Sequence, residues 1–213
     1  MYLSRVELDT SRRNTMIALA APQKFHGALE SSFPGERRRR LWRLDYLGGR
    51  LYMLVLSEEK PDLSNVINQF GTGKQTESRN YDTLLQKITP DSYWHFRLIA
   101  NPTKSCKNLS KPNERGTVVA HRTVEFQKKW LLDRAKKNGF EIEEEMFDVK
   151  EMRWNHFAKS GKRVVSLLAV TYEGTLKVTD VEKFQALLCN GIGRGKAYGM
   201  GMLTVVRSGV YHE

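Results

Sequence analysis

Proton transfer near neutral pH needs a group that titrates there, and imidazole is the side chain that does so unaided. The chain has five histidines, His26, His95, His121, His156 and His212. His26 lies in a region of helical spacing just after Pro22, His95 alternates within a strand pattern, and His121 and His156 sit beside basic segments. No cluster of His, Asp and Glu at ligand spacing argues for a metal. Cys106 and Cys189 lie 83 positions apart and make no CxxC pair, so they read as reduced thiols. The residue types point to metal-independent chemistry with an imidazole as the candidate for moving a proton.

A second chemistry is phosphate binding. Gly191, Gly193, Gly195, Gly199 and Gly201 fall within eleven positions, with Arg194 and Lys196 among them. Glycines let a backbone come close to a ligand and aim N–H groups at phosphates. The nucleotide motifs do not fit. A P-loop would need glycine at Asn190 and a hydroxyl at Ala197, and GxGxxG would need glycine at Lys196. No nucleotide cofactor, or any other, is expected. Gly191, Gly193, Arg194, Gly195 and Lys196 stand as candidate phosphate contacts, against the alternative of a turn whose glycines serve packing alone.

Charge suits a polyanion. Lys and Arg total 35 against 24 Asp and Glu, a net charge of +11. Basic residues cluster at Arg37, Arg38, Arg39 and Arg40; along Lys104, Lys107, Lys111 and Arg115; and at Arg153, Lys159, Lys162 and Arg163. Such clusters neutralise phosphates and release counterions, so nucleic acid is the expected partner. The hydrophobic share of 40% excludes wholesale disorder. No stretch approaches the roughly 20 apolar residues of a spanning helix, and residues 1–9 alternate instead of forming an apolar run. A cytoplasmic protein without a membrane partner is expected. Trp42, Trp94, Trp130 and Trp154 read as core.

The elements that must position these groups come twice in one order. Residues 2–8 alternate as a strand, and 15–31 have helical spacing that Pro22 must start, kink or interrupt. Strands over 38–45 and 50–57 flank Gly48-Gly49, a hairpin signal. The arginines of 37–40 would then enter a strand and project to alternate faces. Pro61 opens a short helix, and 72–81 holds an edge strand or loop. The second half offers a strand over 93–100, a long basic loop over 104–122, a helix over 123–138 stopped by Gly139, and strands over 140–154 and 163–178. A basic link over 155–162 joins those two strands. A helix capped by Thr179-Asp180 and a last strand over 203–207 complete it. This pattern predicts an α+β protein of two tandem ferredoxin-like (RRM-like, βαββαβ) domains, 1–90 and 91–213.

Four segments carry a resemblance. They are Met1-Tyr2-Leu3-Ser4 with Val6, Phe96-Arg97-Leu98-Ile99-Ala100-Asn101-Pro102-Thr103-Lys104, Tyr172-Glu173-Gly174-Thr175-Leu176 and the glycine-rich stretch from Gly191. In this order the chain resembles the repeat-cleaving CRISPR endoribonucleases of the CasE type, found in Cascade surveillance complexes. The resemblance implies that the protein binds the stem-loop of CRISPR precursor RNA repeats and cuts at the stem base by 2′-OH attack. It also implies that the product stays bound for the other Cascade subunits. It places the active-site histidine at His26. It departs at Gln23, where the family carries Tyr, which leaves Lys24, Ser31 and Ser32 as candidates for the supporting role. The competing reading is a tandem RRM-like module that holds RNA without cutting it, but neither half shows an RNP1-like string.

Overall fold

A computed structural model of the chain describes residues 1–33, 38–106, 116–159 and 163–208. The first half runs β1 (Tyr2–Glu7), α1 (Arg13–Ala20), α2 (Gln23–Glu30), β2 (Leu41–Leu47), β3 (Arg50–Ser57), α3 (Ser64–Phe70), β4 (Glu77–Asn80) and α4 (Asp82–Leu85). The second runs β5 (Tyr93–Ala100), β6 (Thr103–Cys106), β7 (Thr117–Ala120), α5 (Val124–Ala135), β8 (Phe140–Glu141), β9 (Phe147–Lys159), β10 (Arg163–Val178), α6 (Val181–Asn190) and β11 (Leu203–Arg207). One antiparallel sheet has the order β2-β3-β1-β4. The other has β11-β5-β10, with β9 and β8 both on the far side of β10. In each sheet the first and third strands of a βαββαβ unit are central and the second and fourth lie at the edges. The fold is α+β, two tandem ferredoxin-like units.

Local chemistry accounts for many of the boundaries. Pro22 lacks an N–H and its ring blocks the preceding turn, so α1 stops at Ala20 and Pro22 becomes the residue from which α2 starts. Gly48 and Gly49 both take positive φ, +56° and +78°, as the tight turn between β2 and β3 requires. The Asp180 side chain accepts from the Lys183 N–H and caps α6.

Four expectations are corrected. β2 begins at Leu41, so Arg38, Arg39 and Arg40 precede the strand and do not alternate across it. The long basic loop contains a two-stranded hairpin, in which Thr103 pairs with Ala120 and Cys106 with Thr117. The strand expected from residue 140 is broken, because a 3-10 turn at Glu144–Met146 separates β8 from β9. The expected link over 155–162 is strand as far as Lys159, so β9 and β10 form one long hairpin.

Two cores result. α1, α2 and α3 cover one face of the first sheet over Phe25, Leu29, Trp42, Met53, Val55 and Phe70. α5 and α6 cover the second sheet over Trp94, Leu98, Trp130, Tyr172 and Phe184, and Leu41, Leu56, Tyr81 and Ile88 of the first half join this cluster. A buried polar link crosses between the halves. Arg43, 1% exposed, donates from Nε and Nη2 to Asp45, from Nη1 to the carbonyls of Arg97 (2.9 Å) and Met202 (2.8 Å), and from Nη2 to Thr204 Oγ1 (2.8 Å). All five donors of a guanidinium are thus engaged. Arg97 closes the network by donating to Asp45 and pairing with Glu173. Burial pulls the Arg43 pKa below its usual value and the Asp45 charge opposes that.

Candidate active site

α2 is held by its apolar spacing. Phe25, Ala28 and Leu29 are buried, with the Phe25 ring 6.0 Å from Trp42 and edge-on to Phe70 at 4.8 Å. That fixes the helix rotation, so Gln23, His26 and Glu30 share another face. The His26 imidazole is partly buried, with Nδ1 4.0 Å from Glu30 Oε1. Glu30 Oε2 lies 3.6 Å from Arg40 Nη1, and the Arg40 guanidinium stands 3.9 Å from the centre of the Phe33 ring. Gln23 Nε2 donates to the Ala158 carbonyl (3.1 Å), which fastens the start of α2 to the β9–β10 hairpin.

The glycine-rich segment leaves α6 and forms a 3-10 turn at Lys196–Tyr198 that packs against α2 and β2. All five glycines have positive φ. A Cβ on Gly199 would stand 2.8 Å from the Trp42 ring, and one on Gly191 would stand 2.6 Å from the Gly201 carbonyl. The N–H groups of Gly191, Gly199 and Gly201 go to the carbonyls of Leu187, Lys196 and Ile99. Packing therefore accounts for glycine at 191 and 199, and the N–H groups at 191, 199 and 201 are spent inside the fold. Lys196 Nζ donates to the Gly193 carbonyl (2.7 Å). Burial, and then the Arg39 charge, push its pKa below the usual lysine range. Arg194 is exposed.

Three elements meet here. The Tyr198 ring lies 5.0 Å from Phe157 of β9. A narrow cleft of about 50 Å³ is lined by Pro22, Trp42, Arg153, Asn155, Tyr198 and Gly199 among others. Arg39 reaches from the segment before β2 toward Asn190, 3.5 Å away. Tyr198 was passed over in the sequence. Its signal was an aromatic ring inside a glycine-rich run.

Other candidates lie apart from His26. Lys24, Gly27 and Ser31 share a different face of α2 and line a cleft of about 470 Å³ with Asn14 of α1 and Gln69 of α3. Ser31 and Ser32 donate to the Ala28 carbonyl (2.9 Å each), so their hydroxyls close the end of α2. Arg38 pairs with Glu58. Lys104 is exposed on β6, its ammonium 5.8 Å from the centre of the Phe126 ring. Lys159 and Arg163 pair at the end of the hairpin. Arg37, Lys107, Lys111, Arg115 and Lys162 lie outside the described residues. Among the described residues no three of His, Cys, Asp and Glu come together to hold a metal ion, and no helix is long and apolar enough to cross a membrane. Trp154 is 42% exposed, against the expectation that it belongs to the core.

Known proteins resemble this chain in sequence and in fold. The CRISPR-associated endoribonuclease Cse3 of Thermus thermophilus is 29% identical, over 96% of this chain and 99% of its own length. A structure of the CRISPR endoribonuclease Cse3 bound to a 19-nucleotide RNA superposes with a TM-score of 0.79 at 27% identity, covering 97% of this chain and all of that one. Thermus thermophilus Cse3 bound to an RNA representing a pre-cleavage complex gives 0.76 at 27% identity, over 96% and 98% of the two chains. The family model described as CRISPR associated protein matches residues 1–207, and with that match the chain belongs to the CRISPR-associated protein family that its resemblance to the CasE type implied.

Proposed function

We propose that the chain is an endoribonuclease that binds the stem-loop of CRISPR precursor RNA and cuts at the base of the stem. The observation that carries this is the meeting of α2, which bears the His26 imidazole, with the glycine-rich turn packed against it and with the β9–β10 hairpin that Gln23 fastens to its start. The Cse3 relative, similar over nearly its whole length, is named an endoribonuclease and has been solved on RNA. In this reading the 2′-OH upstream of the scissile phosphate attacks phosphorus and the 5′ oxygen leaves. A 2′,3′-cyclic phosphate and a 5′-OH result. One proton must leave the 2′ oxygen and one must reach the 5′ oxygen, and His26 is the group that transfers a proton.

Glu30, one turn away, brings a carboxylate oxygen to 4.0 Å from Nδ1, and in this reading Nε2 is the nitrogen that meets the RNA. In this reading Lys196 on the turn, with Arg194 before it and Arg39 beside it, offsets charge on the phosphorane. Gln23 replaces the family tyrosine and ties the helix to the hairpin instead. Tyr198, on the turn packed against α2, is the phenol available in its stead. The remaining arginines and lysines, Lys104 and Arg153 among them, would follow the phosphates of a stem read by shape. We place the division between the units near residues 89–91, the protein in the cytoplasm, and the cut stem-loop, still bound, among other Cascade subunits.

The decisive experiment incubates the protein with a labelled repeat hairpin in EDTA and analyses the new ends. A 2′,3′-cyclic phosphate and a 5′-OH, produced without added metal, are expected. Cleavage that stops in EDTA, or a 3′-OH end, would overturn the mechanism.

A further inference from the structure

We infer that the outer part of β9 carries a stacking platform for an unpaired nucleotide of the RNA, formed by Trp154 and His156 and extended by Phe126 and His121. The inference rests on the RNA-binding reading above and adds a contact with bases to one made of phosphates.

β10 pairs with β5 only from Val170 onward, whereas its pairing with β9 begins at Arg163. Trp154 and His156 stand opposite Leu168 and Ser166, where the sheet has narrowed to a two-stranded ribbon. Two residues apart on a strand, they share one face. Their rings are within 9° of parallel, with centroids 5.8 Å apart. Trp154 is 42% exposed, whereas Trp42, Trp94 and Trp130 are at most 3% exposed. Met152, next on the same face, is 47% exposed and meets Gln127 Nε2 at 3.0 Å, which joins the ribbon to the first turns of α5. There Phe126, 46% exposed, stacks on His121 with centroids 5.9 Å apart. Desolvation, then the Lys104 and Arg134 charges, hold the His121 pKa below the usual imidazole value.

The chemistry of this patch favours a nucleotide. Each base has a π-face that aromatic rings accept without regard to sequence, and cations beside the rings take the phosphate. The Lys104 ammonium is 5.8 Å from the centre of the Phe126 ring, and Arg122 is exposed in the turn between β7 and α5. A paired stem hides its base faces, so the nucleotide that stacks must lie outside the stem.

Because the other three tryptophans are buried, Trp154 is the one that a soluble quencher reaches, and its fluorescence reports on the platform. The full chain is titrated with a repeat stem-loop bearing its unpaired flanks and with the same stem-loop trimmed to its paired part. The flanked RNA should shield the quencher-accessible emission and the trimmed RNA should not. Trp154→Ala should abolish that change and weaken binding of the flanked RNA by about 5- to 100-fold, the effect of losing one stacked base. Its affinity for the trimmed RNA should stay within about twofold, and Trp154→Phe should restore most of the flank-dependent gain. Equal loss for both RNAs, or for neither, would overturn the platform. Binding of both RNAs with Trp154 still open to quencher would leave the RNA reading intact and assign the patch to a protein surface. Binding of neither would remove both.

Discussion

Replacing Arg43 by Met keeps much of the side-chain volume and removes a guanidinium that is 1% exposed and bonded through all its donors. The carbonyls of Arg97 and Met202 lose a buried donor, and Asp45, 3% exposed, keeps only Arg97. Each stranded acceptor costs about 1–3 kcal/mol, and breaking a buried ion pair from one side costs about 3–5 kcal/mol. These overlap, so a loss of about 4 kcal/mol is expected. At about 2–4 °C per kcal/mol for a chain of this size, the melting midpoint should fall by about 8–16 °C. Asp45→Leu in the Arg43→Met background strands no charge and should recover the part of the loss that the unpaired carboxylate causes, while the two carbonyls stay without a donor. Thermal and urea denaturation, each followed by circular dichroism, measure both variants. A fall below about 1 kcal/mol for the single change, or a double variant worse than the single, would refute the account. Arg43 also fixes β2 against β5 and β11, so the single variant should cleave more slowly even at a temperature where it is folded.

His26→Ala should slow single-turnover cleavage about 10²–10⁴-fold while stem-loop affinity changes little, which rapid quench and filter binding separate. A substrate with one 2′-deoxy sugar upstream of the scissile phosphate should bind normally and stay whole, as gel analysis will show. Arg194→Ala should weaken binding of all stem sequences alike and flatten the plot of log affinity against log salt by about 0.7–0.9, since an exposed cation positions phosphate without reading bases. Gly199→Ala, at φ +77° with its new Cβ 2.8 Å from Trp42, should cost about 1–3 kcal/mol by denaturant titration.

The features legible in the sequence are those set by short-range chemistry. Alternation in β1 and β5, the break at Pro22, the turn at Gly48-Gly49, the stop at Gly139 and the Asp180 cap each depend on a few neighbouring residues, and each occurs where the pattern placed it. Because the βαββαβ order follows from such elements in series, the tandem fold could be read as well. His26 was reached by a resemblance. Its chemistry alone did not separate it from the four other histidines.

What pairs across long separations could only be decided in three dimensions. Lys24 and Ser31 lie near His26 in the chain, yet the burial of Phe25, Ala28 and Leu29 turns them to another face of α2. A run of arginines beside β2 resolves into different environments because Glu58, Asn190 and Glu30 approach from three other places. The β6–β7 pairing and the reach of β9 depend on partner strands that local propensity does not see. Glycines that suggested a phosphate cradle are required where Trp42 and the Gly201 carbonyl leave no room for a Cβ. Nothing in the neighbouring residues marks Arg43 and Asp45 as buried. Only the second half, closing over that face with two backbone carbonyls and a threonine hydroxyl, makes burial of the guanidinium possible.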